Sequence, residues 1–482
     1  MVQTYTAVRQ YLALPAYRGE MERSDMRLLR VLGSNGRLLG QFLLPVGEEV
    51  GEPDWYAFLP INREKGRVIR VEVDCGESYI RRIYQTDEQT LPADAGRPAL
   101  HYTPPYGWLN DPNGLICVDG VYHLFHQHNP VGTMWGNMSW GHAVSRDLVH
   151  YEWAGEALLP DEHGVMYSGC AIRGSAVREG GPGGKENSAR GRDGSVSGAA
   201  GAFGLPEDAI LFFYTTCNDR TRLGMGAPDE QRLAWSADGG RTLQKFDDWC
   251  IPMMDRGNRD PKVFRHEESG AWIMTLYLAD ARFAILRSED LEHWILTQTL
   301  DEPPMWECPD LVPLGEKWAF LSADGYYYIG SFDGYTFTKE TTMQTLYGGE
   351  KPWLPYAAQS WTDAGGRVLA TAWLRIPNRG GVYTGAMSLP REFTLGTAPA
   401  GSDAGRGAQE AQTGSGLTGA AAGKDPSPAG EAAGAAWYIR QRFADEVTPY
   451  VTRCPDGSAR VDDAYIRETI SPDGRYLTVE VI

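Results

Sequence analysis

The chain has 482 residues, 42% hydrophobic and 22% charged, enough to bury large cores and too long for one ordinary domain. A formal charge of −18 argues against nucleic acid or an anionic membrane surface as partner, and leaves a neutral substrate open. Seven scattered cysteines without a C-x-x-C pair, no basic-then-apolar leader and no run of about 18 apolar residues predict a cytoplasmic protein with no membrane span.

Residues 1–97 read as a small β domain. Apolar-rich runs at 26–32 and 37–44 flank Gly33-Ser-Asn-Gly36, the pattern of two strands around a turn. Residues 55–59 and 67–73 follow, the latter with clean alternation. From 98 to 395 the chain shows many short strands and hardly any helical period, which predicts an all-β domain. Within it Ser145-Arg-Asp, Ser236-Ala-Asp, Ser288-Glu-Asp and Ser331-Phe-Asp recur at spacings of 91, 52 and 43 residues. Residues 174–204, rich in Gly, Ser, Ala and Arg, read as a low-complexity insertion, and removing them shrinks the first spacing to about 60. Such a period with short strands suits propeller blades, and about 300 residues fit roughly five. Residues 396–436, mostly Gly and Ala without an aromatic, read as a flexible linker. The last 46 residues, 437–482, carry strand-like runs such as 476–481 but are few for an independent domain.

Three acidic residues stand in unusual contexts: Trp108-Leu-Asn-Asp111-Pro-Asn-Gly114, Gly257-Asn-Arg-Asp260-Pro261 and Met305-Trp-Glu307-Cys-Pro309-Asp310. Proline disfavours the helical region for the residue before it, so Asp111 and Asp260 are predicted in extended geometry, able to aim into a central channel. Each segment alone also reads as an ordinary turn with a side chain bonding its own backbone. His123, His126 and His128 lie close together, but no Cys or carboxylate at ligand spacing completes a zinc set, so packing or hydrogen bonding to a ligand is the better reading and no metal is expected.

Taken together and in this order, the three acidic motifs resemble those of glycoside hydrolase family 32, the family of invertases, levanases, inulinases and sucrose-6-phosphate hydrolases. The resemblance runs from about His101 to Glu392 and includes Tyr122-His-Leu-Phe-His-Gln-His-Asn-Pro, Met134-Trp-Gly-Asn-Met-Ser-Trp-Gly-His-Ala, Tyr167-Ser-Gly, Tyr356-Ala-Ala-Gln and Leu389-Pro-Arg-Glu. It implies a five-bladed β-propeller, here with a small β domain before it and a truncated β-sandwich segment after it. It implies a retaining hydrolase of terminal β-D-fructofuranosyl bonds in sucrose or short fructans, acting through a fructosyl-enzyme and needing no cofactor. Asp111 would be the nucleophile, Glu307 the acid/base, and Asp260 the group that holds the ring hydroxyls. Asn110, Gln127, Trp135, Ser168, Arg259 and Trp373 match positions that line the fructose pocket. The insertion after Tyr167-Ser-Gly is expected near the rim, where it would alter access.

The same acids serve fructosyl transfer, in which an acceptor sugar replaces water, so a fructosyltransferase stays open. A catalytically silent propeller that only binds carbohydrate is the reading from another class. The expected partner is a small carbohydrate, not nucleic acid or membrane; sucrose, sucrose phosphate and fructan, like the oligomeric state, are not separated.

Overall fold

The computed structural model describes residues 1–482 apart from 23, 94–95, 175–202, 207, 219–222, 224–227, 364 and 399–435. Regular structure among the described residues is nearly all β, with one four-residue α-helix, Glu77–Ile80, and 3-10 turns at Asn62–Glu64 and Asp445–Tyr450. No helix among them is long and apolar enough to cross a membrane.

Five antiparallel sheets follow one another along the chain. The first is built from Gly107–Val118, Val121–Asn129, Ser139–Ser145 and Tyr151–Leu158. The second uses Val165–Arg173, Ile210–Cys217, Glu230–Ser236 and Gln244–Ile251, and the third Arg259–His266, Ala271–Tyr277, Arg282–Ser288 and Ile295–Asp301. The fourth uses Asp310–Leu314, Lys317–Leu321, Tyr326–Phe332 and Phe337–Lys339. The fifth uses Pro355–Thr362, Val368–Leu374, Arg391–Ala398 and Ala436–Phe443, so its outer strand comes from beyond the segment read as a linker. That strand pairs with Arg391–Ala398 along its full length, from Arg391↔Phe443 to Ala398↔Ala436. The chain stretch expected at 396–436 therefore begins and ends as strand; the rest of it lies outside the described residues.

First strands of neighbouring sheets lie side by side, Gly107–Val118 touching Val165–Arg173 on one flank and Pro355–Thr362 on the other. Tyr383–Thr384, just before the third strand of the fifth sheet, pairs in parallel with Gly107 and Trp108 of the first and ties the two ends of the series together. Strands packed between two sheets read as continuous apolar runs: all seven residues of Ala271–Tyr277 are buried, with Ile273, Met274 and Leu276 at 0% exposure.

Each Ser-x-Asp segment caps the turn between the third and fourth strands of its sheet. Ser145 Oγ donates to Asp147 at 3.0 Å, Ser236 to Asp238 at 2.7 Å and Ser288 to Asp290 at 3.2 Å. Asp333 accepts two backbone N–H groups in the fourth copy. The aspartates satisfy turn amides that no strand can reach, which is why the pattern recurs once per sheet. In the fifth sheet the corresponding turn is the place of residues 399–435.

The insertion expected near the rim joins the first two strands of the second sheet. Its described ends close on each other, Gly174 N donating to Ala209 O at 2.6 Å, beside the Arg173↔Ile210 pair. Ser168 and Cys217, which line the cavity described below, sit toward the other end of these strands. The insertion thus leaves the sheet at the end away from the cavity; the expected rim position concerns residues 175–202, which lie outside the described residues.

Residues 2–86 form two further sheets that share one apolar core, including Leu14, Leu29, Phe42, Phe58 and Val71. Alternation sets their register: in Val68–Val73, Ile69, Val71 and Val73 are buried and Val68 and Arg70 exposed. At the other end Thr452–Arg453, Ala459–Asp463, Ile466–Ile470 and Leu477–Val481 make a four-stranded sheet. Its Val461, Ile466, Ile470 and Leu477 merge into the core of the fourth and fifth sheets. A segment too short to bury a core of its own acquires one by docking.

Candidate active site

The beginnings of the first strands meet at one end of the five sheets, around a cavity of about 1580 Å³. Asn110 and Asp111 come from the first sheet, Ser168 from the second, Arg259 and Asp260 from the third, Glu307 from the approach to the fourth, and Tyr356 from the fifth. Gln127, Trp135 and Trp373 complete the set, so all nine residues singled out in the sequence line this cavity.

Local chain geometry is unusual here. Asp260 has φ +63°, not the extended conformation expected before proline, and Glu307 and Cys308 also lie in the left-handed region at +53° and +41°. A bulge between Arg259 and Lys262 carries Asp260 out of register, and its N–H donates to Thr215 Oγ1 at 3.1 Å. Tertiary contacts therefore override the local preference, at a cost of about 1–3 kcal/mol per residue so held. Ser168 sits in a second bulge, between Met166 and Gly169. A Cβ on Gly169 would stand 1.9 Å from Phe213 O, which explains glycine after that serine.

Each carboxyl is held differently. Asp111 accepts from Ser168 Oγ at 2.7 Å and from Asn110 Nδ2 at 3.1 Å, and Asn110 is itself fixed by Trp108 Nε1 at 2.8 Å. Glu307 Oε1 accepts from Arg259 Nη2 and Nε at 2.5 and 3.2 Å, while Oε2 accepts from the Tyr356 hydroxyl at 2.6 Å. Asp260 Oδ2 accepts from Cys308 N at 3.2 Å, and the Cys308 thiol reaches both Asp260 and Asp111 at 3.6 and 3.7 Å.

Burial raises the Asp111 carboxyl above its ordinary range; the Ser168 bond opposes this and the Glu307 charge adds to it. Asp260 is pushed up to about 7, by burial first; Arg259 opposes, and Glu307 and Asp111 add. Burial works against the Arg259 cation, but Asp260 and Glu307 outweigh it and raise its pKa. Burial and then the neighbouring Glu307 push the Tyr356 hydroxyl well up, so it serves as a donor. Gln127 is 1% exposed, and among the described residues neither end of its carboxamide has a partner, nor does Trp373 Nε1. Buried polar groups without partners at a cavity wall are where a polyhydroxylated ligand would supply them.

The histidines are absorbed into packing. His123 Nδ1 meets His142 Nε2 at 3.0 Å, and His126 meets the Tyr102 hydroxyl at 3.1 Å. His128 bridges Glu156 and the Tyr106 carbonyl at 3.0 and 2.9 Å.

Sequence reasoning gave no role to Tyr356, Cys308 or Asp324. The first two lay inside quoted motifs, whereas Asp324, in a plain Asp-Gly turn, carried no signal. Burial, then the Glu307 charge, raises Asp324 to about 7, with Arg375 opposing.

A sequence model of the glycosyl hydrolases family 32 N-terminal domain matches residues 101–403. A levanase of Bacillus subtilis is 32% identical over 337 residues, 62% of this chain and 45% of the levanase. A sucrose-6-phosphate hydrolase of Zymomonas mobilis is 33% identical over 352 residues, 62% of this chain and 60% of the relative. This chain thus matches less than two thirds of either relative's length. Among solved structures, a fructofuranosidase from Schwanniomyces occidentalis complexed with fructosylnystose aligns with TM-score 0.59 at 19% identity, over 82% of this chain and 93% of that one. A family 32 glycoside hydrolase from Bifidobacterium adolescentis aligns with TM-score 0.54 at 16% identity, over 100% of this chain and 95% of that one. These structures share the fold, and the match over residues 101–403 carries the sequence evidence: the chain belongs to glycosyl hydrolase family 32.

Proposed function

We propose that the protein is a retaining β-fructofuranosidase that releases terminal β-D-fructofuranosyl units from sucrose or short fructans. The observation that carries this reading is the convergence of three carboxyls, from the first sheet, the third sheet and the approach to the fourth, in one cavity, each with its own set of donors. The five sheets are read as the blades of a propeller, with 1–97 as a separate β domain and 437–482 as a C-terminal β segment whose first strand completes the fifth blade. The names of the relatives, a levanase and a sucrose-6-phosphate hydrolase, support a fructoside as substrate.

In the first step an Asp111 carboxylate oxygen attacks C2 of the fructosyl unit. The bond from C2 to the glycosidic oxygen breaks, and Glu307 gives its proton to that oxygen. Arg259 stabilises the Glu307 carboxylate so formed, through a charge-assisted bond. In the second step Glu307 takes a proton from water, the water oxygen bonds to C2, and Asp111 leaves as carboxylate. Retention by this route requires the two carboxyls about 5–5.5 Å apart. Asp260 holds ring hydroxyls, and Gln127 and Trp373 meet others with their unpartnered groups.

Release of free fructose from sucrose and from inulin- and levan-type oligomers tests the reading. Glu307→Gln is expected to lower it by about 10²–10⁴-fold, the span of general acid–base catalysis. A folded protein that binds sugar but releases fructose from none of these would be a carbohydrate-binding propeller instead. The ratio of transferred to free fructose at high sucrose separates hydrolysis from transfer.

A further inference from the structure

We infer that the N-terminal sheets belong to the sugar-binding machinery: they fix the loop that carries Trp135 into the cavity, with Asn137 and Trp55 as positioning residues. The inference rests on the fructosidase reading for its ligand, and on geometry alone for the anchoring.

The loop joins Val121–Asn129 to Ser139–Ser145 in the first sheet and contains Gly132 and Gly136 on either side of Trp135. Such a segment is soft unless something outside it holds it. Inside the loop Asn129 Nδ2 donates to Met134 O at 2.8 Å, and Asn129 Oδ1 accepts from Val131 N and Asn137 Nδ2 at 3.2 and 3.1 Å. Outside it, the holding comes from residues 2–86. Leu38–Leu44 is the edge strand of the four-stranded N-terminal sheet, so one row of its peptide groups faces away from the sheet. Leu43 N donates to Asn137 Oδ1 at 2.7 Å, and Asn137 Nδ2 donates to Leu43 O at 2.9 Å. A primary carboxamide offers the donor–acceptor pair of a peptide group, so Asn137 pairs with the edge as a one-residue strand would. Its φ of +50° is one that asparagine tolerates better than most residues.

The other end of the loop is tied as well, Trp55 Nε1 donating to Pro130 O at 2.9 Å. Between the ties, Leu43, Met26 and Leu28 of the N-terminal sheets pack in one cluster with Trp108, Trp135, Met138 and Tyr167. The face that clamps the loop is therefore also the face that backs the cavity's aromatic wall. A sugar-contacting indole held in advance spares the ordering cost on binding. It touches the ligand alike before and during reaction, so losing its anchor raises KM more than it lowers kcat.

The test uses the full chain. Asn137→Gly removes the clamp while accepting the positive φ, and Trp55→Phe removes the second tie while keeping an aromatic ring in the core. Each is made alone and on Trp135→Ala. Amide exchange across 130–138 and the kinetics with sucrose are measured. Exchange in the loop is expected to rise about tenfold per variant as local opening becomes easier. KM is expected to rise about three- to tenfold, the affinity equivalent of one or two lost hydrogen bonds, with kcat within about twofold. On Trp135→Ala neither variant should raise KM further. Unchanged exchange in 130–138, or an equal rise in KM with and without Trp135, would overturn the inference. If the unmodified chain hydrolyses no fructoside, the hydrolase reading fails by itself; fructose titration of tryptophan fluorescence then replaces KM, with the same two outcomes.

Discussion

Asp111, Asp260 and Glu307 were legible in the sequence because each stands in a long, specific motif, and the cavity gathers all three. Their hydrogen-bond partners were legible only where the motifs included them: Asn110, Ser168 and Arg259 were, and Tyr356 was quoted without a role; Asp324, whose carboxyl feels the Glu307 charge, was not seen. Asp260 also shows why local rules fail at such a site. Proline should make it extended, yet a bulge and a bond to Thr215 hold it at φ +63°. Tyr356→Phe removes the hydroxyl that donates to Glu307 at 2.6 Å, and kcat on sucrose should fall about 10–100-fold, the equivalent of a bond to a charged group. Asp260→Asn should change how stability depends on pH. The folded carboxyl is raised to about 7 from an unfolded value near 3.8, so ionising it costs stability as pH rises between the two. Melting temperatures taken from pH 4 to 8 should decline for the unmodified chain relative to the variant, which should be the more stable at pH 8. Parallel profiles would contradict that.

The elements were read from periodicity, and the Ser-x-Asp segments proved to be one structural feature repeated, the third turn of four successive sheets. What periodicity could not give is connection. The strand Ala436–Phe443 belongs to the fifth sheet although 37 residues outside the described structure separate it from its partner, and no local pattern announces a pairing across such a gap. The sheet end from which the insertion departs was not legible for a related reason: a hairpin can leave a sheet at either end, and only the strand count says which. The C-terminal sheet is fastened by a buried cluster. His101 Nδ1 lies 2.9 Å from Asp463 and Nε2 lies 3.4 Å from Glu468, and Asp463 also accepts the N–H groups of Ala99, Leu100 and His101. Burial works against the His101 cation, but the two carboxylates outweigh it and raise its pKa. Asp463 is also opposed by burial, yet the bonds from His101 and the three amides lower it to about 2. The histidine's contribution is full below its unfolded value, about 6.5, and is lost as pH rises through the higher folded one. The Asp463 contribution is present above its unfolded value of 3.8 and is lost as pH falls through about 2. The clamp should therefore be strongest between roughly pH 4 and 6.5. His101→Gln should cost about 3–5 kcal/mol in denaturant unfolding at pH 5 and distinctly less at pH 9. An equal cost at both would mean that shape, not charge, fastens the sheet.

At the scale of the whole molecule, five sheets place the beginnings of their first strands around one cavity, and sequentially distant acids become neighbours only through that closure. The parallel pairing of Tyr383–Thr384 with Gly107 and Trp108 brings the chain of the fifth sheet back to the first. The N-terminal sheets add a buttress at the Trp135 loop, and the C-terminal sheet covers the fourth and fifth sheets from the side. Asp111 and Glu307 are proposed to divide nucleophilic and proton-transfer work in that cavity. This division is tested most directly by quenching Glu307→Gln with acid during reaction with a β-fructosyl donor whose leaving group needs no proton, then digesting the protein and weighing its peptides. The account predicts one fructosyl unit attached to the peptide that contains Asp111, absent when Asp111→Asn is added. Fructose released with no attached sugar at any time, or a sugar attached elsewhere, would contradict it.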